Sequence, residues 1–254
     1  MPENYPKIKP QWVQWAIIIG FIVLLEVLTR GGMVRKTILV PPSEMVTTLF
    51  GLIAIGDVTP HFIRTMIEVF ASFFIAMVGG ITIGITFWRF ARIGKMFEPY
   101  IVAIYAMPLV MFYPILLIFL GLGSRPIIAL TVVSSIIPVI LNTTIGFKEI
   151  REVLEKVALS NRCTPWQKFS KVLFPAAAPY VFTGLKLGFI YALIVTIGME
   201  FILTDLGLGF QVHQFYDFFN TSSMYAYILL NLAIAVSANM LLFRSEESVR
   251  RERA

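Results

Sequence analysis

Six apolar stretches, near residues 12–28, 68–88, 100–121, 126–146, 180–203 and 224–243, meet or approach the length of about 20 residues that a helix needs to cross a bilayer. Long unbroken runs exclude a membrane β-barrel, whose strands alternate in short strings, and inside lipid only helices then satisfy their own backbone groups. The expected fold class is all-α, a polytopic membrane helical bundle of about six transmembrane helices. The chain is 57% hydrophobic and 14% charged, where soluble domains hold about 45–50% and about 25%, so the reading does not hang on where any one span is drawn.

In a membrane chain the position of Lys and Arg carries more information than the net charge of +6, and the excess is read as orientation rather than as a nucleic-acid surface. Sixteen of the 21 cations fall on one side of the spans. They are Lys7, Lys9, Arg89, Arg92, Lys95, Lys148, Arg151, Lys156, Arg162, Lys168, Lys171, Lys186, Arg244, Arg250, Arg251 and Arg253. Arg30, Arg35, Lys36, Arg64 and Arg125 fall on the other. The positive-inside rule then makes both termini cytoplasmic. No small-residue cleavage site follows "FIVLLEVLTR", so the first stretch is read as a retained helix. "PPSEMVTTLFGLIAIGD" reads as a short amphipathic surface helix with Ser43 as its N-cap. A single cysteine, Cys163, leaves no disulfide framework, and no Cys/His cluster offers a metal site. Without repeats or low-complexity tracts, residues 1–254 read as one membrane domain.

The longest polar interruption of the second half is a cytoplasmic insert at residues 148–178. Ile150, Val153, Leu154, Val157 and Ala158 recur at helical spacing with charges opposite. "SNRC" breaks the pattern, and "TPWQ" restarts a helix with Thr164 as N-cap, Pro165 as first helical residue and Gln167 closing a capping box. That second helix is expected to stop near Pro175, with Pro179 opening the fifth span. Two short helices meeting at 160–164 make a blunt knob, a shape suited to a groove on a soluble partner; an amphipathic loop lying on anionic headgroups is the plainer reading.

"TPWQKFSKVLFPAAAPYVFTGLKLG" and "MEFILTDLGLGF", with "EPYIVAIYAMPLVMFYPILLIFLGLG" and "IIPVILNTTIGFKEI" before them, resemble in order the permeases of bacterial ATP-binding-cassette importers. The branch for nitrate, taurine and alkanesulfonate uptake is similar over nearly the whole chain. The resemblance implies a multi-pass protein of the bacterial cytoplasmic (inner) membrane that forms the translocation pathway as a homodimer. It implies as partners a cytosolic ATPase dimer and an extracytoplasmic substrate-binding protein, besides the lipid bilayer, and a small, anionic solute. It places the ATPase-coupling residues at Glu155, Ala158, Leu159, Ser160, Asn161, Arg162, Cys163 and Thr164. The family's Glu-Ala-Ala run falls on Lys156, Val157 and Ala158, with Glu155 offset by one as the acid. Its glycine, which allows positive φ at the turn, is replaced by Arg162. Either the turn differs here or the partner has adapted to a bulky cation.

No GxxxxGK[ST] is present: Gly94-Lys95 precedes Met96 and lacks the upstream glycine. The chain is therefore expected to bind no cofactor and to be no enzyme, with ATP and magnesium on the partner ATPase. Intramembrane ionisable residues are functional candidates by default, which singles out Glu200, while Glu26 and Glu68 are expected near the interfaces and His61 and His213 in outer loops. Met107, Met111, Asn142 and Glu200 are the candidate pathway residues; the first three, with Tyr105, lie near kinks expected at Pro108, Pro114 and Pro138, where they could line a cavity. A stand-alone secondary transporter or channel is the alternative, for which the knob is superfluous and no inverted repeat speaks. An intramembrane enzyme would need a constellation of catalytic side chains, and no histidine lies in any span.

Overall fold

The computed structural model describes residues 10–251, and every regular element among them is helical. Lys7, Lys9 and Arg253 lie outside the described residues, as do the side chains of Arg244, Arg250 and Arg251. Contacts group the chain into two units, Met1–Thr59 with Gln211–Asn231, and Pro60–Phe210 with Leu232–Ala254.

In the first unit, α1 (Pro10–Arg30) is followed by α2 (Pro42–Ala54). Pro41, with extended backbone, precedes α2, and Ser43 sits inside its first turn instead of capping it. The cap comes from α1: Glu26 accepts the Ser43 N–H at 3.0 Å and its hydroxyl at 2.6 Å. A carboxylate at a helix N-terminus satisfies free amides and meets the positive end of the helix dipole. Tyr227 donates to Asp57 at 2.7 Å, and Ser222 to Glu44 at 2.8 Å.

The second unit is built around α6 (Ser124–Lys148), with α3 (Val58–Arg89) and α9 (Phe174–Leu203) packed on it. In lipid no hydrophobic force drives helices together, so close approach of small residues has to do it. A Cβ on Gly80 or Gly84 of α3 would fall within 2.6 Å of Val139 or Thr143. A Cβ on Gly184 or Gly188 of α9 would lie 2.8 Å from Asn142 or Val139. The Thr144 hydroxyl uses the contact to reach the Gly84 carbonyl at 3.2 Å. Helix α3 starts well before the expected second span, so Glu68 lies inside it, with its side chain fully enclosed by the protein.

The third span is not one helix. α4 (Ala91–Ala106) ends at Met107, and a 3₁₀ turn (Leu109–Phe112) leads into α5 (Tyr113–Leu120), bent by 89° from α4. Pro108 disfavours helical backbone in the residue before it, and Met107 is extended, with ψ of 142°.

In the insert, α7 (Glu152–Ser160) is followed by one turn, α8 (Pro165–Lys168). The chain does not stop at Pro175. It passes through a π-helical segment, Phe169–Leu173, directly into α9. The wider turn shifts the hydrogen-bond register just before the proline, which lands in the first turn of α9, where its missing N–H costs least. Two helices remain: α10 (Leu208–Asp217) and α11 (Thr221–Arg251).

Candidate functional site

The knob is closed by three devices. Helix α7 ends in a Schellman motif, in which Cys163 N–H reaches the Ala158 carbonyl at 3.1 Å and Arg162 N–H the Leu159 carbonyl at 2.9 Å. The motif needs a left-handed residue, and Arg162 takes it with φ of +49°. The turn thus keeps the positive φ natural to glycine while carrying an arginine. Next, Thr164 caps α8: its hydroxyl accepts from Gln167 N–H at 3.3 Å while its own N–H donates to the Gln167 side chain at 2.9 Å. Lastly, Lys168 of α8 donates to Glu155 of α7 at 2.7 Å. Ser160 and Asn161 form the end of α7, where the Asn161 side chain donates to the Val157 carbonyl at 2.8 Å.

Of the apolar stripe on α7, only Ala158 is buried, and Ile150 packs on the Phe147, Leu173, Ala177 and Val181 cluster. Val153, Leu154 and Val157 stay exposed, and Leu159 and Trp166 are 64% and 74% exposed. A charged protrusion rimmed by uncovered Leu and Trp has the make-up of a protein contact, since aromatic anchors dominate such surfaces.

The break of the third span brings Met107 to a cavity of about 140 Å³, which Tyr105 and Tyr191 also line. Met111, one turn further, is 73% exposed. Asn142 lies elsewhere: its side chain donates to the Pro138 carbonyl at 2.8 Å and packs under Gly184, inside the α6–α9 contact.

Glu200 is also packed away, with no exposed surface. Its carboxylate accepts from the Thr65 hydroxyl at 2.7 Å and from the Gly209 N–H at 2.9 Å. That hydroxyl in turn accepts from Leu208 N–H at 2.9 Å, and His61 Nδ1 accepts from Gly207 N–H at 3.2 Å. Glu68, a neighbour of Glu200, pairs with Arg64 at 2.6 Å and accepts from Ser124. The network ties the loop after α9 to α3, and a side chain on Gly207 would collide with Glu200. His61, expected in a loop, is a buried member of α3; His213 belongs to α10, 3.3 Å from Asp217.

The family described as "Binding-protein-dependent transport system inner membrane component" matches residues 76–251. The chain belongs to this family. It is a multi-pass inner membrane component of a transport system, and the helical content and the five or six candidate spans agree. Among curated relatives, it is 28% identical over 70% of its length to the nitrate import permease protein NrtB of Synechocystis sp., covering 66% of that protein. It is 26% identical to the taurine transport system permease protein TauC of Escherichia coli, over 80% of this chain and 76% of the other. To the putative aliphatic sulfonates transport permease protein SsuC of Bacillus subtilis it is 24% identical, over 86% and 80%. A chain of the MetNI methionine ABC transporter, solved in inward-facing conformations, superposes with a TM-score of 0.64 at 19% identity, over 73% of this chain and 93% of that one. That similarity establishes the shared fold.

Sequence reasoning passed over the polar stripe His61, Thr65, Glu68 and Ser72, which recurs at helical spacing within an apolar span and is wholly buried. It also passed over the small-residue spacing in "GGITIG" and "GLKLG", which marks the faces where α3 and α9 meet α6.

Proposed function

We propose that the chain is the membrane-spanning permease of an ATP-driven importer for a small oxyanion-bearing solute. It would work as a homodimer with a separate cytosolic ATPase dimer and an external binding protein, as a single permease domain with both termini and the knob in the cytoplasm. The knob carries this reading. Its capping box, Schellman turn and ion pair fix the shape of a surface whose Leu159, Trp166 and Val157 are left uncovered. A rigid protrusion with uncovered apolar anchors transmits a partner's movement to α6 and α9, between which it is inserted in the chain. ATP and magnesium belong to that partner, because the chain lacks a phosphate-binding Gly-Lys loop. The solute class rests on the relatives, whose names give nitrate, bicarbonate, taurine and aliphatic sulfonates, each an oxyanion or a bearer of one.

In this reading Glu155, Ala158, Leu159, Ser160, Asn161, Arg162, Cys163 and Thr164 form or shape the coupling surface. Met107 and Met111, at the open side of the break, line the path; Asn142 and Glu200 hold helices and loop in place beside it. The test is co-purification of the ATPase subunit with wild type and with Arg162→Glu. The variant is expected to insert normally and to retain much less ATPase; equal retention removes Arg162 from the contact, and no retention by wild type removes the importer reading.

A further inference from the structure

We propose that Tyr105, Tyr191 and Ser134 form an uncharged station for the translocated solute, and that the station suits a small organic oxyanion over a bare inorganic one. The inference rests on the importer reading above and names the substrate class of its path.

The cavity exists because of the break. With Pro108 forcing Met107 out of helical backbone, α4 and α5 diverge by 89° and leave a wedge against the middle of α6 and α9. Ser134 comes from the middle of α6 and is nearly buried, and Tyr191 comes from the body of α9. The rings of Tyr105 and Tyr191 lie 5.4 Å apart at 59°, with their hydroxyls as neighbours. The Ser134 hydroxyl donates to the Leu130 carbonyl at 3.0 Å, and as a free rotor it can turn to a solute instead. Three hydroxyl-bearing side chains, Tyr105, Tyr191 and Ser134, thus line one space of about 140 Å³. The remaining wall is apolar: Leu109, Val110, Val195 and the Met107 thioether.

No charged residue lines the cavity. For a station on a path this is an advantage, since a solute must bind firmly enough to enter and weakly enough to leave, and a Lys or Arg would hold an anion too long. Neutral donors replace part of the hydration of an oxyanion. They cannot replace the whole shell of a bare ion, which would lie against Leu109, Val110 and Val195 with nothing to accept from. An alkanesulfonate or short carboxylate places its oxygens at the hydroxyls and its alkyl body on that wall. Pockets that orient small organic ligands combine these same two parts.

The test uses the full importer, chain, ATPase and binding protein, in liposomes, with ATP-driven uptake of taurine, ethanesulfonate, nitrate and bicarbonate measured side by side. Wild type should favour the two sulfonates. Tyr105→Phe and Tyr191→Phe, which keep the rings, should each lower sulfonate uptake by about tenfold at equal amounts of assembled complex, because each removes one hydrogen bond to a charged group. Leu109→Ser should move the sulfonate-to-nitrate ratio toward nitrate, a readout that a merely structural role for the wall would not shift. Wild-type preference for nitrate or bicarbonate, or unchanged uptake in the double Tyr→Phe variant, overturns the station and leaves the importer reading standing. ATP-driven uptake of none of the four solutes overturns both.

Discussion

Lys168 reaches back 13 residues to Glu155 and closes on it at 2.7 Å, so the two helices of the knob are held by a charge pair across their own turn. Both side chains are partly exposed, which limits the pair's share of overall stability to about 0.2–1 kcal/mol. Its value lies in fixing the angle at which Leu159 and Trp166 are presented. Lys168→Met should therefore leave the thermal midpoint of the purified chain within a few degrees of wild type and still reduce ATPase co-purification. A large fall in the midpoint with full co-purification would contradict this division.

Arg162 sits where glycine would be unstrained. Left-handed backbone costs a residue with a Cβ about 1–2 kcal/mol, so Arg162→Gly should raise thermal stability, while Arg162→Val should lower it because β-branched residues resist positive φ most. Melting the two variants beside wild type in one detergent decides the order. Arg162→Gly also loses the cation, so increased stability with weaker ATPase retention would separate the backbone from the charge.

Thr65 joins two partners at one buried oxygen: its single proton goes to Glu200 at 2.7 Å, a shorter contact than the His61 carbonyl at 3.1 Å, and the oxygen accepts from Leu208 N–H at 2.9 Å. Thr65→Val keeps the shape and orphans both a carboxylate oxygen and an amide, at about 1–3 kcal/mol for each unsatisfied group. Thr65→Ser should restore most of the loss. Limited proteolysis of residues 203–209 reports it directly, with faster cleavage expected in Thr65→Val and not in Thr65→Ser.

Gly84 lies against Thr143 with no room for a side chain. Gly84→Leu should force α3 off α6 and leave little folded protein in the membrane fraction. Gly51→Ala, on α2 where nothing lies within 4 Å, is the control and should accumulate normally.

The sequence made the helices, the insert and the capping box legible because each rests on local chemistry: apolar run length, a charge stripe, Thr-Pro-x-Gln. It misplaced the N-cap at Ser43, since the true cap, Glu26, comes from another helix 17 residues away. It marked Pro108 as an interruption of the third span but not the 89° turn made there, because hydropathy is blind to direction. Pro175 looked like a stop and was not, for a π-turn is a register shift that composition does not record. Glu200 stood out as an ionisable residue in a span, and its partners did not: Thr65 lies 135 residues away, and only the alignment of α3 beside α9 brings them together.

The central claim, that this permease is driven through its knob by a separate ATPase, is tested most directly by solute uptake into liposomes. Liposomes holding the chain alone, the chain with its ATPase, and the whole assembly with the binding protein are compared with and without ATP. Uptake should require the ATPase, the binding protein and ATP together, and should collapse in the assembly carrying Arg162→Glu. Uptake by the chain alone, indifferent to ATP, would contradict the account.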